Sequence, residues 1–241
     1  MLVLILALDT SSPAGSLAVL RDEKVMGVVS TVADENYSSR MFRHLDFLLQ
    51  ELSLKLDQFD LFAVAAGPGS FTGLRVGLTA AKGWAEVYKK PVAGVSGLAA
   101  IAAQSSSAPS IIVPVLDARR GQVYFGVYRR QNEVLALEGE ECVMSPEEFF
   151  EAIRARVGSA EFAIVSPTPE IIRGPLSRLE TAAPFSASTK IEQVSSALAP
   201  WIGLLGYRRA QRGELSDALT LDANYVRRTD AEVQWKRLPG S

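Results

Sequence analysis

One cysteine and one histidine occur in 241 residues. With Cys142 alone, an intramolecular disulfide is excluded, and a reducing compartment is the default expectation. One histidine, His44, leaves little from which to build a zinc or iron site. Such sites take about three His, Cys, Asp or Glu ligands, commonly with two histidines a helical turn apart. A metal-dependent, glycoprotease-type peptidase is therefore the weakest enzyme reading. A Cys–His nucleophile would need Cys142 to reach His44 from far along the chain, and His44 reads instead as a packing or surface residue of a helix. Runs of one charge are missing too, and the net charge is −2. The densest basic stretch, Arg208 to Arg212, reads as a solvated helix end, so the basic face that holds tRNA unaided is lacking. Apolar runs of membrane length are also absent. Met1–Leu8 carries no basic residue and runs straight into Asp9, so it reads as a buried strand rather than a signal peptide. These exclusions point to a cytoplasmic protein with no metal site and no Cys–His nucleophile.

What is present is an α/β pattern. Leu2–Leu8, Ser16–Arg21 and Val25–Val29 are short apolar runs with tight links, hence an antiparallel meander. Met41, Leu45, Leu48, Leu49 and Leu52 fall on one helical stripe. Leu61–Ala66 reads as a buried strand, 71–88 as a helix, Val92–Val95 as a strand, and Gly97–Gln104 as a helix of small residues. After the serine-rich stretch Ser105–Ser110 the order begins again. Ile111–Leu116, Gln122–Tyr128 and Val134–Leu137 are expected as three strands, a capping box at Ser145-Pro146-Glu147-Glu148 opens a helix, and Phe162–Val165 is the next strand.

Both openings share one design: a strand ends in Leu-Asp (Leu8-Asp9, Leu116-Asp117), turns through a glycine (Gly15, Gly121) and starts a second apolar strand. Two copies of a β-β-β-α-β unit are a structural duplication rather than a solenoid. Tandem ribonuclease-H-like lobes, the actin-like ATPase (ASKHA) architecture, are the expected fold. The expected lobes are 1–104 and 105–219, with a segment near 220–232 packing back on the first.

The segment Gly67-Pro68-Gly69-Ser70-Phe71-Thr72-Gly73-Leu74-Arg75-Val76-Gly77 follows a strand and opens a helix, a context suited to anions. Its spacing is neither the dinucleotide fingerprint, since no acidic residue ends the next strand, nor a Walker loop, since no Lys-Ser/Thr pair follows. Each glycine inside a helix costs about 1 kcal/mol against alanine. Gly73, Gly77 and Gly83 therefore imply close approach by another backbone, either of this chain or of a second subunit. Asp9, Thr10 and Ser11 sit where actin-like ATPases hold phosphates and metal, although Asx-turn chemistry explains the same residues. The second turn, Asp117-Ala118-Arg119-Arg120-Gly121, has cations where hydroxyls would be needed. A relic phosphate loop is the preferred reading, and an ATP-dependent phosphotransferase using Asp9 is the rival.

These residues resemble the TsaB (YeaZ) family. The resemblance is carried by Leu8-Asp9-Thr10-Ser11, by Ala66–Gly77 running on to Ala80-Ala81-Lys82-Gly83, by Asp117-Ala118-Arg119 before Val123-Tyr124, and by Asn224–Arg228 with Asp230-Ala231-Glu232. The resemblance implies a non-catalytic member of the glycoprotease-like (peptidase M22) proteins, active in making threonylcarbamoyladenosine on tRNA. It implies a catalytic TsaD partner, the ATPase TsaE in the same assembly, a homodimer in isolation, and tRNA contact only through the complex. No cofactor of its own is implied, though ATP or ADP could lie at the subunit interface of the assembly. The matching interface elements are the helix from Met41 and the glycine-rich helix, with Met41, Leu45, Leu48, Leu52, Gly73, Leu74, Gly77, Ala81 and Trp84 as contact residues. The stretch Glu35–His44 departs from the family pattern, with Phe42 and Arg43 in place of Leu and Pro, and the tail from Val233 is unmatched.

Overall fold

The computed structural model describes residues 2–32, 37–107, 109–131, 134–180, 190–215, 218 and 220–226. The segment Glu35–Asn36, the residues Arg227, Arg228 and Asp230–Glu232, and the tail from Val233 lie outside the described residues. The first sheet opens with the antiparallel meander β1 (Leu4–Asp9), β2 (Ser16–Arg21) and β3 (Lys24–Ser30). The strands β4 (Leu61–Gly67) and β5 (Val92–Ser96) join it in parallel, giving the order β3-β2-β1-β4-β5. Every side chain of β1 is buried, so both of its faces are covered. Leu4, Leu6 and Leu8 point to one side, where helices α1 (Met41–Glu51) and α2 (Phe71–Tyr88) add Met41, Leu45, Leu48, Leu78 and Ala81.

The second sheet contains β6 (Ile111–Arg119), β7 (Gln122–Phe125), β10 (Cys142–Met144), β11 (Phe162–Ser166) and β12 (Lys190–Gln193). A hairpin of β8 (Tyr128–Gln131) and β9 (Val134–Leu137) attaches to β6. The order β10-β7-β6-β11-β12 repeats that of the first sheet position for position. Helices α4 (Pro146–Val157) and α5 (Glu170–Glu180) follow β10 and β11 as α1 and α2 follow β3 and β4. Tandem ribonuclease-H-like units are therefore the architecture.

Three expectations need correction. The expected strand Gln122–Tyr128 is broken into β7 and β8. Both halves keep one register against β6, with Val115 opposite Phe125 and Ile112 opposite Tyr128. The break falls opposite Pro114, which has no N–H to give the ladder. The third place in the second sheet is held by β10, not by Val134–Leu137, which pairs only with β8. Finally α6 (Ala199–Gln211), numbered within the expected 105–219 lobe, lies against β1, β2, β4 and β5 of the first sheet. Its glycines allow this: a Cβ at Gly206 would meet Ala63 Cβ at 2.8 Å, and one at Gly203 would strike Leu20. In return α3 (Gly97–Ala102), from the first half, lies on β6. Each half thus lends its last helix to the other, and both helices share one apolar cluster between the sheets.

Candidate functional site

Asp9, Thr10 and Ser11, at the end of β1, are all buried. Asp9 Oδ1 accepts hydrogen bonds from the Ser11 amide at 2.8 Å and from Ser11 Oγ at 2.6 Å, an Asx-type turn. Thr10 Oγ1 donates to the Gly73 carbonyl at 2.6 Å. The glycines of the loop and helix that follow β4 make room for this turn. A Cβ at Gly69 would meet Ser11 Cβ at 2.6 Å, one at Gly73 would strike the Thr10 carbonyl, and one at Gly77 would strike Thr10 Oγ1. The close neighbour of Gly73 and Gly77 is thus the chain's own turn. A Cβ at Gly83 would meet nothing beyond its own helix within 4 Å among the described residues. Ser70 caps α2 by accepting from the Gly73 amide at 3.3 Å.

Burial pushes the Asp9 carboxyl above the usual carboxylate range, against the pull of the two Ser11 bonds. Its second oxygen, Oδ2, is buried and finds no hydrogen-bond partner among the described residues.

The residues expected at a partner interface lie mostly inward. Met41, Leu45, Leu48, Gly73, Leu74, Gly77 and Ala81 are buried within the chain, and Leu52 and Trp84 are partly buried. The open side of the same two helices carries Phe42 (59% exposed), Phe47 (55%) and Val87 (72%). His44, on α1, lies 3.0 Å from the Tyr37 hydroxyl. Burial, Arg40 and Arg43 all push its pKa down. Cys142 lies on β10 in the other sheet, with Arg156 Nη2 at 3.4 Å. No group of three His, Cys, Asp or Glu residues able to hold a metal occurs among the described residues.

The turn equivalent to Asp9–Ser11 in the second half is built differently. Asp117 Oδ1 accepts from the Arg119 amide at 2.7 Å, but Arg119, Arg120 and Gly121 all have left-handed backbone, with φ of 61°, 54° and 70°. The turn is exposed at Arg119, Arg120 and Gly121, and a Cβ at Gly121 would meet nothing within 4 Å among the described residues.

A polar cluster that sequence reading missed joins the two halves. Glu141 Oε1 accepts from the Tyr128 hydroxyl at 2.6 Å and from Ser96 Oγ, and Glu141 Oε2 accepts from Asn224 Nδ2 at 2.7 Å. Burial pushes the Glu141 carboxyl up, against the pull of these three donors. Asn224 stands out in the sequence only as part of the family resemblance, and Glu141 carries no local signal at all.

Residues 18–190 match the family described as TsaD, tRNA N6-adenosine threonylcarbamoyltransferase. The chain is 31% identical to the tRNA threonylcarbamoyladenosine biosynthesis protein TsaB of Haemophilus influenzae, over 98% of this chain and 97% of that protein. It is 38% identical to the Bacillus subtilis protein of the same name over 131 residues, 54% of this chain and 57% of that one. It therefore spans little more than half of the Bacillus relative and nearly all of the Haemophilus one. The solved structure of YeaZ from Pseudomonas aeruginosa superposes with a TM-score of 0.73 at 25% identity, covering 92% of this chain and 99% of that one.

Proposed function

The chain belongs to the TsaB family, and from that membership we propose that it serves the formation of N6-threonylcarbamoyladenosine on tRNA as a non-catalytic subunit that stabilises a TsaD partner. The observation that carries the non-catalytic reading is the turn at Asp9–Ser11. Its hydroxyls and one oxygen of the Asp9 carboxylate are engaged within the chain, and α2 is pressed onto it through Gly73 and Gly77. A phosphotransferase needs those same groups free to meet a nucleotide phosphate and its cation.

The surface offered to the partner is the open side of α1 and α2. Phe42, Phe47 and Val87 leave apolar area in water there, the kind of area that marks an interaction face. The same face serves a homodimer in isolation. TsaE joins the assembly, tRNA is met through the complex, and ATP or ADP is held between subunits rather than by this chain alone. The work is placed in the cytoplasm by the tRNA reading; separately, no helix of the described residues is long and apolar enough to cross a membrane.

Mixing the purified chain with TsaD from the same source should give a heterodimer by sizing and calorimetry, while the chain alone neither turns over substrate nor shows a heat of ATP binding. Persistent non-association would sink the subunit reading. Turnover by the lone chain would sink the non-catalytic one.

A further inference from the structure

Leu221–Val226 crosses the molecule at the C-terminal edge of the first sheet and touches three separate parts of it. Leu221 is buried, and its side chain fills the space that Gly94 of β5 leaves open. The Asn224 amide donates to the Ala66 carbonyl at 2.6 Å, and the Asn224 carbonyl lies over Gly67, whose φ of +121° suits glycine. The Tyr225 ring stacks 5.2 Å from Phe71 at the start of α2, and its hydroxyl accepts from Arg75 Nε at 3.4 Å. All of these contacts are to the first half. The side chain of Asn224 reaches the second half, at Glu141. Glu141 gathers Asn224, Ser96 at the end of β5, and Tyr128 of β8 on one carboxylate.

A second polar cluster ties the halves at a different place. The chain leaves the first half after α3 and returns before α6, and these two crossings lie side by side. The Gln104 side-chain amide donates to the Ser195 carbonyl at 3.1 Å and accepts from the Ser195 amide at 3.0 Å. Glu192 accepts from Ser105 Oγ, Ser106 Oγ, Ser107 Oγ and the Ser106 amide at 2.7–2.9 Å. Burial pushes Glu192 up, but these four bonds outweigh it and hold the carboxyl down at about 2. Arg130 closes the same stretch by donating to the carbonyls of Ser105 at 2.6 Å and Ser107 at 3.3 Å. The double crossing is therefore firmly stapled.

We propose that Leu221–Val226 is a latch, bolted by Asn224 to Glu141, which holds the Gly67–Phe71 loop and the first turn of α2 against the second half. The bolt is built to release. Asn224 is exposed, and its bond to Glu141 is a single neutral-donor contact, unlike the four-bond staple at Glu192. The outer end of the latch is also open, with Phe71 38% and Tyr225 40% exposed, so a molecule that engages either ring acts on the latch directly. The inference stands on these contacts and not on the functional reading above.

Hydrogen–deuterium exchange on the full chain tests it. Asn224→Ala should quicken exchange roughly tenfold in 221–226, and also in 94–99 and 126–130, the two sides of the Glu141 cluster, because opening there is governed by the lost bond. Exchange in 104–107 and 192–195 should stay as in the parent. Glu141→Gln, which keeps the shape of the side chain, should give the same pattern at smaller amplitude and serves if the alanine variant does not fold. In the double variant Glu141→Gln with Asn224→Ala, the effect should be no larger than that of Asn224→Ala alone. Faster exchange confined to 221–226, unchanged exchange, or strictly additive effects in the double variant would each overturn the latch.

Discussion

Helices α1 and α4 occupy the same place in the duplicated unit, each following the third strand of its sheet, yet they are finished differently. The α4 helix has Ser145 as N-cap in a full capping box, Glu147 and Glu148 in its first turn, and Arg154 and Arg156 in its last. Each of these suits the helix dipole or satisfies end groups, worth some tenths to about 1 kcal/mol apiece. The outward face of α4 is charged. By contrast, α1 starts at Arg40 with no side-chain cap, carries no acid in its first turn and no base in its last, and exposes Phe42 and Phe47. One helix is completed for water, and the other is left incomplete on its outer side. The two Leu-Asp turns differ in the opposite sense. The first is filled by its own hydrogen bonds and pressed under α2, and the second lies open with two arginines in left-handed backbone. Duplicated frames have diverged so that the first half keeps a closed turn and an open helix face, and the second keeps the reverse.

The hardest test of that contrast is Gly73→Ala. The new methyl lands on the Thr10 carbonyl, which is backbone and cannot step aside, so a loss of about 3 kcal/mol is expected in urea unfolding. A loss under about 1 kcal/mol would mean that the first turn is not sealed as described. Next in size is Phe47→Asp on α1. Removing an exposed aromatic anchor should weaken TsaD binding roughly thirtyfold by calorimetry. The melting curve should hold within about 0.5 kcal/mol, since the side chain supports little of the core. Equal affinity for both forms would move the docking face off α1. The smallest effect is expected at the open turn. Arg119→Gly relieves a left-handed backbone at φ 61° and should stabilise the protein by about 1 kcal/mol. A destabilised variant would show that the Arg119–Asp117 ion pair, 4.0 Å long, outweighs the backbone strain.

Local chemistry made parts of this molecule readable in advance. The Gly67–Gly77 segment after a strand marks the start of α2 at Phe71, and the Ser145 box marks α4, because such signals act within a few residues. The Leu-Asp turns reveal the duplication for the same reason. The split between β7 and β8 was not legible, since its cause, Pro114, sits on the neighbouring strand. The exchange of α3 and α6 was hidden because an apolar stripe says that a helix has a buried face, not which sheet buries it. The same limit governs the candidate interface. Met41, Leu45 and Leu48 form a stripe that fits a subunit contact or a core equally well, and in the fold it is turned inward. Glu141 was illegible outright: its three donors come from positions 96, 128 and 224, and no local pattern announces such a meeting.

The exchange of last helices has a consequence for synthesis on the ribosome. When the residues of the first sheet have emerged, the helix that covers its inner face, Ala199–Gln211, has not yet been made. That face, with Ile5, Ala7, Ala18 and Leu20, must wait through most of translation uncovered, a state that invites aggregation or a chaperone. Neither half can complete itself before the other arrives, so the two copies mature together or not at all.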